Sequence, residues 1–259
     1  MKKILKPMLL VLSAVLLVVA TVLGTMAYMT SSSAVSNVFT VGNVTINMTE
    51  TKVKNDGTPV SDRNERTDTN SYHLVPGKSY LKDPLITVSA TSDESYLFVR
   101  VRNDLKTIEC NGKTVDKDGN ETNCTHTDGH MTIVEQLRAN GWQEIERAST
   151  NVDAVFVYVG KNEETGITNA VDIIDGNYDA PNMPLAELVG GKGVAKTYPV
   201  FEEFTLSQNI KNLEIYGGAR VAIVAYAIQA DLNDGNTPGS PVGYKDAWAY
   251  VKEELPFVV

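Results

Sequence analysis

The chain has 259 residues, of which 42% are hydrophobic and 21% are charged, and its formal net charge at pH 7 is −9. This composition is ordinary for a globular protein. The acidic balance argues against nucleic acid and anionic lipid as partners, because both carry charge of the same sign, and it favours solubility outside the cell.

The first 27 residues have the pattern of a secretory signal peptide. Three basic residues precede an apolar run over residues 8–23: Lys2, Lys3 and Lys6. A small-residue processing site follows the run, and it consists of Thr25, Met26, Ala27 and Tyr28. Cleavage after Ala27 predicts a secreted protein that meets the membrane only transiently, through this segment. An uncleaved anchor over residues 8–29 is the competing interpretation, because that stretch is just long enough to span a bilayer.

Cleavage would leave 232 of the 259 residues with a net charge of −12, because the removed segment carries three basic and no acidic side chains. That length suits one sizeable β domain. We place an N-terminal arm and first strand at residues 28–50. A single domain is predicted over residues 38–259, with a loop-rich insertion around residues 104–150.

The arm begins as a polar, Ser-rich stretch, and residues 28–37 predict a flexible lead into a strand. In residues 44–49 apolar and polar side chains alternate, which is typical of a half-buried strand. The predicted strand has six apolar members: Val38, Phe39, Val41, Val44, Ile46 and Met48. Residues 51–71 are polar and carry turn-forming residues, so they predict a loop.

The middle of the chain mixes strands with less regular segments. Residues 85–90 and 96–102 are strand-like runs separated by a short polar turn, and they predict a hairpin. Residues 131–140 predict a short helix. Strands are predicted at residues 142–147 and 153–159, and the second of these is apolar on both faces, which indicates a central position.

The last third of the chain gives clearer patterns. Residues 201–206 are strand-like, and residues 220–230 are apolar on both faces, which predicts a buried strand. Residues 246–254 predict an amphipathic terminal helix. Many short strands, few helices and no internal repeat together predict an all-β, antiparallel β-sandwich with a few short peripheral helices and long loops.

Cys110 and Cys124 are the only cysteines of the chain. In an exported protein they predict a disulfide that closes a surface hairpin. The alternative is a pair of free thiols. A catalytic role is not indicated, because the one histidine near them, His126, lies in the same loop.

The histidines and acidic loops do not predict a metal site. His126 and His130 are four residues apart, but turn-forming residues lie between them, whereas a zinc protease needs the pair on one helical face. His73 stands alone and indicates a structural role. Three oxygen-bearing side chains have the one-three-five spacing of a calcium-binding loop: Asp116, Asp118 and Asn120. The glycine and the glutamate that such a loop requires are not at the matching positions. We therefore predict no metal, no cofactor and no catalytic site.

The N-terminal region resembles the TasA/camelysin family. The resemblance is carried by Gly24-Thr25-Met26-Ala27-Tyr28-Met29-Thr30, then Asn37, Phe39-Thr40-Val41-Gly42-Asn43-Val44 and Ile46. It extends to residues 73–103, where Pro76 to Val88 resemble the PGxxxxKDPxVTV element of the family, and to residues 219–250. The resemblance implies a jelly-roll-like sandwich, export through a dedicated SipW-type signal peptidase, and a structural role in the biofilm matrix of a Gram-positive bacterium.

Self-assembly is the function that both the residues and the resemblance favour. An extended N-terminal arm can pair with an open sheet edge of a neighbouring subunit, and head-to-tail repetition of that contact builds a fibre. The expected partners are then further copies of the chain and accessory matrix proteins. The alternative for the arm is pairing within its own sandwich, which would give a monomer.

Two other functions remain open at this point. A camelysin-like secreted or cell-surface metallopeptidase would need a metal site and would lose its activity with a chelator. A surface adhesin or sugar-binding sandwich would show exposed aromatic side chains clustered in one groove. The sequence ranks both below a non-enzymatic matrix protein.

Overall fold

The computed structural model describes residues 30–41, 44–110, 113–115, 121–123, 130–148, 153–173, 176–179, 182–230 and 243–252. The strands of this part are β1 (Thr30–Val41), β2 (Ile46–Thr51), β3 (Arg66–Thr67), β4 (Thr69–His73), β5 (Ser79–Leu81), β6 (Leu85–Val88), β7 (Ser95–Asn103), β8 (Lys113–Val115), β9 (Glu121–Asn123), β10 (Trp142–Arg147), β11 (Asp153–Tyr158), β12 (Leu188–Val189), β13 (Lys196–Pro199), β14 (Glu203–Thr205) and β15 (Val221–Gln229). The helices are α1 (Ile133–Ala139) and α2 (Tyr244–Lys252), with 3-10 turns at Lys106–Ile108 and Leu213–Tyr216.

Two sheets form the body of the protein. The larger has the order β10-β11-β7-β15-β1-β4, with β12 also paired to β7, and the smaller has the order β13-β6-β2-β3. All pairs are antiparallel except β1 with β15, which is parallel. Two further pairs, β5 with β14 and β8 with β9, lie outside both sheets. The predicted all-β sandwich with few helices is confirmed.

The main core lies between the two sheets. From the smaller sheet it receives Ile46, Met48, Ile86, Val88 and Tyr198. From the larger sheet it receives Leu97, Val99, Val101, Val221, Ile223, Ala225 and Ala227. The odd-numbered residues of β7 and β15 supply this face because side chains alternate along a strand. The predicted alternation through Met48 is likewise confirmed.

The outer face of the larger sheet is covered by helix α2. The even-numbered side chains Phe98, Val224 and Tyr226 form a second apolar cluster with Trp248 of the helix. The Trp248 ring lies 5.4 Å from that of Phe98 and 5.8 Å from that of Tyr226, between centroids. Its indole N–H donates to Glu146 Oε2 at 3.1 Å. Since β15 is therefore buried on both faces, the buried strand predicted at residues 220–230 is confirmed.

The strands at residues 85–90 and 96–102 exist, but the predicted hairpin between them is wrong. β6 pairs with β2 and β13 in the smaller sheet. β7 pairs with β11, β12 and β15 in the larger sheet. The turn between them carries the chain from one sheet to the other, because more distant strands occupy the edges of both.

Two segments predicted to be irregular are partly strand. The Ser-rich lead belongs to β1, since pairing begins at Thr30 and Thr30–Val41 is one strand. The loop predicted at residues 51–71 contains β3 and the start of β4, where Asn70 is buried between exposed neighbours. Neither segment has an apolar period, so the sequence pattern did not reveal them.

Helix α1 has the end signals that the sequence contains. Thr132 Oγ1 accepts from the N–H of Glu135, and the Glu135 carboxylate accepts from the N–H of Thr132, which forms a capping box. At the other end Gly141 has φ of +89°, and a Cβ there would lie 2.7 Å from the carbonyl oxygen of Gly160. The predicted helix is therefore confirmed, and only glycine fits at position 141, two residues after its end.

A buried carboxylate lies at the start of α1. Glu109 is 7% exposed, and its Oε1 accepts from the N–H of Ile133 at 3.2 Å. Burial raises the pKa of Glu109 from its ordinary value of 4.5 to about 7, although the bond from Ile133 partly opposes the rise. The folded protein therefore keeps a proton on Glu109 over a pH range in which the unfolded chain has lost it.

This difference makes stability depend on pH in a defined direction. Because the folded pKa is the higher one, the contribution of Glu109 is fully present below pH 4.5 and is lost as pH rises through about 7. Between pH 5 and pH 8 the free energy of unfolding of the wild type should fall by about 3 kcal/mol because of Glu109, and we expect this fall to be absent in Glu109→Gln. Urea unfolding of both chains at the two pH values measures it. An equal change with pH in the wild type and the variant would contradict the assignment.

Candidate assembly interface

Strand β1 bridges two parts of the larger sheet. Its first half pairs antiparallel with β4, from Thr30 opposite His73 to Ala34 opposite Thr69. Its second half pairs parallel with β15, from Val35 opposite Ile223 to Val41 opposite Ile228, with a register shift between Ser36 and Phe39. Among the described strands β4 has no other partner, so β1 alone attaches β4 to the sheet through backbone hydrogen bonds.

The edge of β15 that β1 covers is an unusual one. Along its whole length β15 pairs on the opposite side with β7, and its residues 221–228 are buried. Without β1, the backbone groups of residues 223–228 would lose their partners although the side chains on both faces stay enclosed. Unpaired backbone groups in such a place cost about 1–3 kcal/mol each. The β15 edge therefore requires a strand beside it.

The edge of β15 and the edge of β4 together form the groove that β1 occupies. The β4 side of this groove is held in place by side chains. Tyr72 of β4 is buried, and its hydroxyl donates to the carbonyl of Leu81 at 2.9 Å. Its ring meets the rings of Tyr80 and Phe204 edge-on at 5.8 and 5.5 Å between centroids. The Tyr80 hydroxyl donates to the carbonyl of His73 at 2.8 Å. Burial raises the pKa of Tyr80 to about 12, so this donor keeps its proton at physiological pH.

The six residues of the predicted assembly strand do not lie on one strand. Val38, Phe39 and Val41 belong to β1, where the backbone of Phe39 lies opposite Tyr226. Val44, Ile46 and Met48 are buried in the main core, and β2 is enclosed between β6 and β3. The chain leaves the larger sheet after Val41 and enters the smaller sheet at Ile46. Only the residues up to Val41 can therefore belong to an exchangeable strand.

Several predicted residues lie outside the described part of the chain. They are Thr25, Met26, Ala27, Tyr28, Cys124, His126, Asp116, Asp118 and Asn120. Cys110 is buried and disulfide-bonded, and Cys124 is the one other cysteine in the sequence.

His130 takes part in a small polar contact and not in a recognisable metal centre. Its Nδ1 lies 3.2 Å from Glu203 Oε1 and 3.3 Å from Thr205 Oγ1, in a surface cleft beside Gln136. The backbone of His73 pairs with that of Thr30 in β1. In the described residues no three His, Cys, Asp or Glu side chains are grouped so that they could hold a metal ion. The same residues include no helix long and apolar enough to cross a membrane.

One buried polar cluster was missed by the sequence analysis. Glu50 and Lys82 are both 0% exposed, and Asn70 is 6% exposed. The sequence did contain a signal that Glu50 is buried, because Glu50 is the next residue in the alternation of Val44, Ile46 and Met48, which all lie on the buried face. Lys82 follows directly after the short strand β5, where no pattern indicates burial.

Comparison with known proteins finds no match to the chain among family models, curated proteins or solved structures. The resemblance to the TasA/camelysin family therefore stays a prediction that rests on the residues quoted for it.

The position of β1 predicts a strong effect of removing it. A chain that begins at Gly42 should unfold more easily than one that begins at Tyr28, by more than about 3 kcal/mol, because the β15 edge and the β4 attachment are lost. A synthetic peptide of residues 28–41 added in trans should restore part of this stability. Thermal unfolding, with a scrambled peptide as control, measures both effects. Equal midpoints for the two chains would show that β1 does not stabilise the fold.

Proposed function

We propose that the mature chain is a secreted, non-enzymatic structural protein of the extracellular matrix that assembles into fibres by donating β1 to a neighbouring copy. The observation that carries this proposal is the place of β1 in the sheet. Its first half pairs with β4 and its second half pairs with the edge of β15, and these two strand edges together form the groove that β1 occupies; β1 is also the first of the described strands. A strand next to a free chain end can leave its groove without threading through the fold.

The groove suits an identical strand from another molecule. Backbone hydrogen bonds supply the pairing, and the same bonds form whether the strand comes from its own chain or from a copy. Four residues, 42–45, connect β1 to β2, and a short connection favours exchange between molecules over return to the same one. The pairing enthalpy is therefore similar in both arrangements, and concentration decides between them.

The geometry of the exchange leads to a fibre and not to a closed pair. Each molecule offers one strand and one groove, and these are different surfaces. A contact between two different surfaces repeats head to tail unless its rotation happens to close a ring. The resemblance to the TasA/camelysin family supports the same arrangement. In this proposal the SipW-type signal peptidase frees the strand by cutting after Ala27, and accessory matrix proteins assist assembly.

A reversible lock on β1 tests the proposal. Ser32 and Ser71 lie opposite each other on β1 and β4, and Ser71 is exposed. Ser32→Cys with Ser71→Cys should form a disulfide that holds β1 in its own groove. We expect the oxidised double variant of residues 28–259 to stay monomeric while the wild type forms fibres, and we expect fibres to return on reduction. Electron microscopy and sedimentation follow both states.

Two controls belong to this experiment. Ser71→Cys alone should assemble as the wild type does, which separates the lock from the substitution. The wild type must also be kept in the same reductant, because Cys110 is itself disulfide-bonded. Fibres from the oxidised double variant at the wild-type rate would refute strand donation.

A further inference from the structure

Three buried polar side chains from separate segments meet below β4. Glu50 ends the buried face of β2, Asn70 lies in β4, and Lys82 follows β5. The Lys82 ammonium donates to Glu50 Oε2 at 2.7 Å, and the Asn70 amide nitrogen donates to Glu50 Oε1 at 2.9 Å. One carboxylate thus holds an amine and a carboxamide on its two oxygens, within the protein interior.

The orientation of the Asn70 amide is fixed by the backbone. Its Oδ1 accepts from the N–H of Val53 at 2.9 Å, and its Nδ2 donates to the carbonyl of Thr51 at 2.8 Å as well as to Glu50. A flipped amide would set a donor against the Val53 N–H and an acceptor against two acceptors. The amide oxygen therefore faces a backbone donor, while the amide nitrogen faces a carboxylate.

The segments that carry the amine and the carboxylate are also held together. Asp83, next to Lys82, accepts from the N–H of Thr51 at 2.6 Å and from its hydroxyl at 2.7 Å. Thr51 is next to Glu50. The N–H of Lys82 donates to the carbonyl of Glu202 at 3.0 Å. The amine and the amide are thus held on the two oxygens of one carboxylate before any reaction begins, and such positioning is what raises the rate of an intramolecular reaction.

We propose that Lys82 and Asn70 join in an intramolecular isopeptide bond, with Glu50 transferring the protons. Glu50 accepts a proton from the Lys82 ammonium, and the neutral amine attacks Cγ of Asn70. The Val53 N–H stabilises the negative charge that develops on Oδ1, as the donors of an oxyanion hole do. Glu50 returns that proton to Nδ2, which leaves as ammonia, and then accepts the second proton from Nζ.

The reaction balances without any other reactant. The bond between Nζ and Cγ forms, the bond between Cγ and Nδ2 breaks, and one ammonia is released. Of the two protons that Nζ loses, one leaves on the ammonia and the other stays on Glu50. Burial favours the change, because two ions removed from water are costly to enclose, whereas the products that remain in the site are a neutral amide and a protonated Glu50 carboxyl. A side-chain ion pair, in contrast, would retain that cost.

The bond would attach β4 covalently to the body of the sandwich. It would close a loop from Asn70 to Lys82 that includes Tyr72 and Tyr80, the aromatic residues of the groove wall. This proposal does not depend on strand donation, since all three reacting groups belong to one chain and lie outside β1.

The intact mass of the exported full chain tests the bond directly. After reduction of the disulfide, the wild-type mass should be lower than the sequence mass by one ammonia. Trypsin should then release a branched fragment in which residues 67–78 are joined to residues 79–100 through Lys82. A wild-type mass equal to that of the sequence, with residues 67–78 released as a separate fragment and cleavage after Lys82, would overturn the proposal. Loss of water instead of ammonia would overturn it too, because that mass indicates a bond from Lys82 to Glu50.

Substitutions test the role of each group. Glutamine at position 50 cannot accept the proton, so we expect the Glu50→Gln variant to have the full mass of its sequence. The control is Glu65→Gln, in the exposed ion pair with Lys52, which should lose one ammonia as the wild type does. Asn70→Asp preserves the shape of the site and should form the same bond with loss of water. If Glu50→Gln lost ammonia completely and at the wild-type rate, Glu50 would have no role. If Glu50→Gln does not fold, the mass of Asn70→Asp still tests the proposal, because the bond predicts that this variant loses one water.

Discussion

The fold depends on a strand that has no exposed side. β15 packs against the main core through Ile223 and its odd-numbered neighbours, and against α2 through Tyr226 and its even-numbered neighbours. β7 covers one edge along the whole strand, and β1 covers the other. A strand enclosed in this way cannot satisfy its backbone groups with water, so some strand must always occupy the position of β1. The fold requires that strand but does not require that it come from the same chain.

The sequence predicted elements well where burial imposes a pattern of apolar residues on a single strand or helix. The alternation through Met48, the doubly apolar β15 and the capped helix α1 all follow from local patterns. The sequence did not predict which strands pair with each other. β6 and β7 are adjacent along the chain and separated by a short turn, yet each finds its partners elsewhere, because burying both sheets' inner faces requires the chain to cross between them. Nearness in sequence does not show which edges are already taken.

The candidate interface was predictable only in part, for a related reason. Backbone pairing gives β1 its place, and backbone groups are the same in every residue, so the Ser-rich start of β1 has no pattern that distinguishes it from a flexible lead. The buried cluster of Glu50, Asn70 and Lys82 was hidden because charged side chains are expected in solvent. Glu50 shows that a strict alternation can override that expectation when a partner of opposite charge is enclosed with it.

The two proposals meet at β4. A groove that exchanges its strand must keep its shape while the strand is absent, and β4 has no other strand partner in the described part of the chain. At that moment β4 is held by its side chains, with Asn70 bonded to Glu50, Thr51 and Val53 and Tyr72 packed on Tyr80, and by one backbone bond from the N–H of His73 to the carbonyl of Asn55 at 2.6 Å. Hydrogen bonds in this position break whenever β4 moves outward, whereas a covalent link from Asn70 to Lys82 would not. An isopeptide bond would thus keep the empty groove open for a strand from another copy, with β1 free to leave and β4 unable to follow it.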